Sequence, residues 1–181
     1  MDNPTTLLVA IMYVMIISIG LSNLLMTLSE LAGGRANPPD RVHLSWLILL
    51  LFAYLSYFWQ TTVILDVENW RFISFIAFLI GPICLLFATN LLIVLPETED
   101  VSPVEHYMKH SNRFFLLMGA FNVWLIGLDV VADSISAQTW LAGAIAIWLF
   151  ILMASDSYRV HKIGAPVGWV LFLASIGLGV V

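Results

Sequence analysis

Polar breaks divide the chain into six apolar runs, at about residues 6–30, 44–65, 71–95, 113–135, 139–155 and 166–181. Within each run the apolar residues follow one another instead of alternating. Runs of this length match α-helices crossing a hydrocarbon core about 30 Å thick, whereas barrel strands alternate in polarity over about ten residues. The pattern therefore predicts an all-α integral membrane bundle of six transmembrane helices, a single transmembrane domain over residues 1–181. Gly33-Gly34 with Pro38-Pro39 closes the first run and Pro96 stops the third, which tolerates Gly81-Pro82 in its interior. The last two runs are short: at about 1.5 Å per residue they only just cross the core.

Composition agrees, since 61% of the 181 residues are hydrophobic and only 10% charged. Globular chains average about 45–50% apolar and about 25% charged, and a soluble fold could not hide the excess. Charge adds orientation. Arg35, Arg41, Lys109, Arg113, Arg159 and Lys162 fall in the loops after runs one, three and five, and only Arg71 falls on the other side. The positive-inside rule then places those three loops in the cytoplasm and both termini on the non-cytoplasmic side. Trp46, Trp70 and Trp140 stand near run starts, where indoles anchor at headgroups. No basic residue precedes the first run, so a removable signal peptide is not expected. Cys84 is the single cysteine, which excludes an internal disulfide, and a net charge of −5 spread over loops points to no nucleic-acid partner.

Asp129 is the carboxylate set deepest in a run, with Asn122 two turns before it and Asp133 one turn beyond. An ionisable group at that depth faces the bundle interior, pairs, or lines an aqueous path. Two readings follow: a proton or cation route, or a structural ion pair of Asp129 with Arg71. The first run carries a polar stripe, Asn23, Thr27 and Glu30, at helical spacing, and the second adds Gln60 among hydroxyl residues. That stripe should turn inward, as interhelical hydrogen-bonding glue or as the lining of a cavity.

All four histidines lie in or beside the cytoplasmic loops. On a helix, His106 and His110 would share one face, a spacing that can hold a transition metal if His43 and Glu30 supply further ligands. The rival reading is that histidines at a membrane surface simply meet the headgroup boundary. No other cofactor is implied, and an enzyme is disfavoured. The runs lack a lysine for a retinal Schiff base, a mid-depth histidine for haem, a Ser-Lys or Ser-His pair, and paired aspartates of the intramembrane protease type.

Gly20-x-x-x-Leu24 before Arg35, Tyr57-Phe58-Trp59, and His106-Tyr107 followed by Arg113-Phe114-Phe115 resemble a broad group of small bacterial polytopic inner-membrane proteins whose activity is uncharacterised. The resemblance implies six spans and a bacterial inner membrane. From the residues, the leading expectation is a channel or transporter for a proton, cation or small solute. Alternatives are a non-catalytic sensor or scaffold engaging a cytoplasmic partner protein through loop 96–112, and a metal-binding membrane protein. Small residues such as Gly20, Gly119, Gly127, Ala142, Gly143, Gly177 and Gly179 favour close helix packing and a homo-oligomer.

Overall fold

The structure is a computed structural model that describes residues 4–34, 39–59, 70–93, 102–131 and 134–180. Those residues form six helices: α1 (Pro4–Ala32), α2 (Arg41–Trp59), α3 (Phe72–Leu92), α4 (Pro103–Val131), α5 (Ala137–Met153) and α6 (Tyr158–Ser175), the last running on into a π-helical turn, Ile176–Val180. Five of them are long and apolar enough to cross a membrane, as a multi-pass membrane protein requires, and α5 is a 17-residue apolar helix. Their outward faces carry large bare hydrophobic side chains, with Phe72, Ile73 and Trp140 each more than three-quarters exposed. In water such faces would drive association, whereas lipid solvates them.

Local chemistry sets the helix ends. At α1 the Gly33 and Gly34 amides bond back to the Ser29 and Leu31 carbonyls. Gly34 adopts φ of 64°, a conformation that glycine enters without steric cost. Asp40 caps α2 by accepting the Val42 amide at 2.9 Å. Ser102 caps α4, its hydroxyl accepting the Glu105 amide at 3.1 Å, with Pro103 in the first turn. Ser136 and Thr139 form a reciprocal capping box at the start of α5.

Two boundaries differ from the sequence expectation. The fourth helix begins at Pro103, not near residue 113, because Ser102-Pro103-Val104-Glu105 starts a helix even though its first three turns are polar. The sixth begins at Tyr158 instead of Pro166, which lies within it. A proline inside a membrane helix is tolerated when neighbours re-satisfy the carbonyl it leaves free, and Pro82 inside α3 is a second case. Residues 60–65 and 94–95 of the expected second and third spans lie outside the described residues.

The helices pack as a ring in the order α1, α2, α6, α5, α4, α3, with α3 closing back onto α1. Aromatic side chains fill the side bounded by α1 to α4. Tyr13 meets Tyr57 at 5.5 Å between ring centroids, Tyr57 meets Phe121 at 5.1 Å, and Trp46 meets Phe115 edge-on at 5.0 Å. Such pairs add about 0.5–1.5 kcal/mol each beyond the area they bury. On the other side, Trp169 of α6 reaches α2 by donating to the Ser45 hydroxyl at 2.9 Å.

Candidate functional site

Where α2 and α5 face each other across the ring, the packing leaves a partly open cavity of about 500 Å³, lined by α2, α4, α5 and α6. Its walls are mostly apolar and aromatic. Trp46 and Tyr57 come from α2, Phe121 from α4, Trp148 from α5 and Phe172 from α6. Gly168 lets α6 approach Trp46 closely at the inner end, since a Cβ there would come within 2.8 Å of the Trp46 ring. Sites of this kind, apolar with a few placed polar groups, hold drug-sized molecules at about 300–1,000 Å³.

The polar groups gather at one end, where α4 stops, α5 starts and α6 finishes. Asp129 lines the cavity there with Gln138 and Ser175, and Asn122 lies two turns deeper on the same helix. Oδ2 of Asp129 accepts the Thr139 hydroxyl at 2.6 Å, while Thr139 Oγ1 accepts the Ser136 amide at 3.0 Å. The capping box of α5 thereby fixes the carboxylate. Asn122 is buried and donates to the Met118 carbonyl at 2.9 Å. Gln138 donates to the Leu178 carbonyl at 3.0 Å, which ties the start of α5 to the end of α6.

Among the contacts of the described residues, none joins Asp129 to Arg71, the ion pair expected from the sequence. Arg71, exposed at the start of α3, lies with Thr5, Leu8 and Val9 of α1, whereas Asp129 turns toward α5. Asp133 and Gln60 lie outside the described residues. The first-run stripe does not line the cavity: Asn23 reaches α3, donating weakly to Asn90 at 3.5 Å, and the buried Thr27 donates to the Asn23 carbonyl of its own helix at 3.1 Å.

At the opposite end of the bundle His43, His106 and His110 stand in a row, with ring centroids 6.4 Å and then 5.1 Å apart. His43 is buried, and because a carbonyl only accepts, its Nε2–H donates to the Leu92 carbonyl at 2.6 Å. Its Nδ1 is left buried without a hydrogen bond. Glu30, exposed near the end of α1, joins none of these contacts. Among the described residues, no group of three or more His, Cys, Asp or Glu is placed to hold a metal ion. His161 has both nitrogens engaged, Nε2–H donating to the Ser155 carbonyl at 2.9 Å and Nδ1 accepting from the Tyr107 hydroxyl at 3.0 Å.

Both members of that last pair are buried. Tyr107→Phe strands a buried ring nitrogen, which costs about 1–3 kcal/mol. The expected result is a lowered thermal midpoint in detergent with the cavity unaffected, and an unchanged midpoint would contradict the bond.

No family model, curated protein or solved structure matches the chain. Geometry therefore carries the functional argument alone. Reading the sequence by runs singled out Asp129 and Asn122, which line the cavity, but not its other walls, because those residues look like any other apolar span residue. The signal available for the mouth was Ser136-x-x-Thr139, a capping pattern close after Asp129.

Proposed function

We propose that the protein is a membrane transporter of small solutes, with the cavity among α2, α4, α5 and α6 as its binding site and Asp129 at the mouth. The supporting observation is the cavity itself: about 500 Å³ inside the bundle, with one carboxylate and a buried amide on otherwise apolar walls. A continuous ion channel has less support, since Trp46 packs on Phe114 and Phe115 beside the inner end. Transport then requires the ring to open, and the sparse packing of α6 on α2 and α5 makes it the natural moving part.

Arg41, Lys109, Arg113, Arg159 and Lys162 lie at the histidine end and Arg71 at the other. By the positive-inside rule the histidine end faces the cytoplasm of a bacterial inner membrane and the Asp129 mouth faces outward. A scaffold working through residues 96–112 has less support, because Tyr107 and Ser111 are buried in the bundle and withdraw part of that segment from a partner's reach.

The test is solute flux in proteoliposomes, with a panel spanning protons, alkali cations, amines and organic acids. Wild-type protein should move one of these at least about tenfold faster than empty vesicles. Ala142→Trp, which places an indole in the cavity, should bring that rate back to background. Flux that survives the filled cavity, or no flux at all, would reject the reading.

A further inference from the structure

The charge balance of the cavity narrows what it can hold. Among the described residues, Asp129 supplies the one carboxylate that lines it, and no Lys, Arg or His does. The carboxylate has no cationic partner among the described residues either. Oδ2 accepts one hydroxyl, from Thr139, which leaves Oδ1 and the net charge unanswered. Arg71, the one basic residue at that end of the bundle, is exposed at the start of α3 and does not line the cavity. A carboxylate turned toward apolar walls is costly when unpaired, and such groups face partners or substrates.

The walls point the same way. Below Asp129 the cavity presents the rings of Tyr57, Phe121, Trp148 and Phe172, and ends on Trp46. Aromatic faces attract cations through their quadrupoles and repel anions, with about 0.5–2 kcal/mol or more at stake when the pair is desolvated. An aromatic vessel closed by a single carboxylate favours an apolar cation and disfavours an anion of the same shape. Small hydrated metal cations fit less well, because the mostly apolar and aromatic walls would replace little of their water.

We infer that the cavity binds a lipophilic organic cation, an amine or quaternary onium compound whose apolar body lies among the aromatic rings while its charge sits at Asp129. This rests on the cavity being a solute site, so the experiment separates the two claims. The probes are tetraphenylphosphonium and tetraphenylborate, which are close in size and shape and opposite in charge. Each is measured by equilibrium dialysis against the detergent-purified full-length chain, with protein-free micelles as the blank.

Wild-type protein should bind the cation at least about tenfold more tightly than the anion. Asp129→Asn, which can still accept the Thr139 hydroxyl, should shrink that ratio to about threefold or less, and Asp129→Glu should restore it. Ala142→Trp should abolish binding of both. If both ions bind equally and Ala142→Trp removes both, the cavity reading stands and the cation assignment falls. The assignment also falls if Asp129→Asn leaves the ratio unchanged. If neither ion binds, or Ala142→Trp changes nothing, both claims fall together.

Discussion

Gly81→Leu is expected to leave little folded protein at temperatures the wild-type chain survives. A Cβ built on Gly81 of α3 runs into the indole of Trp124 on α4, with Cε3 only 2.6 Å away. That indole cannot easily retreat. Its Nε1–H donates to the Ala77 carbonyl at 2.6 Å, and its ring is packed against Phe78, Tyr57 and Phe121 with centroids 6.0, 6.2 and 5.9 Å away. Overpacking costs about 1–3 kcal/mol where neighbours can shift, and more where they cannot. Here a hydrogen bond and three aromatic contacts move together, so about 3 kcal/mol or more is expected. Thermal unfolding in detergent, followed by size-exclusion chromatography, reads the loss. Trp124→Ala alone should also destabilise, by about 3–5 kcal/mol. The double variant should lose clearly less than the sum, and strict additivity would show that the two side chains do not meet.

The second large effect lies at Gly20, where α1 approaches α2. The hydroxyl of Tyr54 lies against Gly20, with Cζ 2.6 Å from where a Cβ would stand. Tyr54 is fully buried, and its hydroxyl pairs with the Thr89 hydroxyl of α3 at 2.8 Å. Since the Thr89 proton goes to the Leu85 carbonyl at 2.8 Å, Tyr54 is the donor of that pair. One tyrosine thus joins three helices, and it fits only because residue 20 has no side chain. Gly20→Val should displace it, combining overpacking with a buried unsatisfied hydroxyl, for about 3 kcal/mol in all. Tyr54→Phe alone should cost about 1 kcal/mol. It also removes the clashing oxygen, so Gly20→Ala should be milder in the Tyr54→Phe background than in wild type. Equal penalties in the two backgrounds would overturn this account. Binding of the organic cation should be spared in whatever folds, because the seam of α1, α2 and α3 lies away from the cavity.

These two seams show how glycine reads differently in sequence and in structure. Gly20 and Gly119 look interchangeable with Gly127 and Gly177 in a list of small span residues. Yet Gly20 and Gly119 meet Tyr54 and Phe150 closely, while Gly127 and Gly177 have nothing within 4 Å of a Cβ position. Gly81, Gly164 and Gly168 are close-approach sites too, against Trp124, Leu152 and Trp46. Nothing in the local sequence marks which large side chain will arrive opposite a given glycine.

Hydropathy alone determined the class of this protein and the location of its helices, because the need to satisfy backbone groups within lipid leaves a long apolar run little choice but to be helical. Local chemistry determined the ends wherever a cap was legible, at Gly33-Gly34 and, in retrospect, at Ser102-Pro103-Val104-Glu105. Only the tertiary structure decided which faces meet. It turned Asp129 toward Thr139 and away from Arg71, gathered His43, His106 and His110 into a row, and left the space between α2 and α5 unfilled. The physical reason is that in lipid-like surroundings one apolar face is worth nearly the same as another. Helix orientation is then set by close packing and a few hydrogen bonds between residues far apart in the chain, and neither leaves a periodic trace in the sequence.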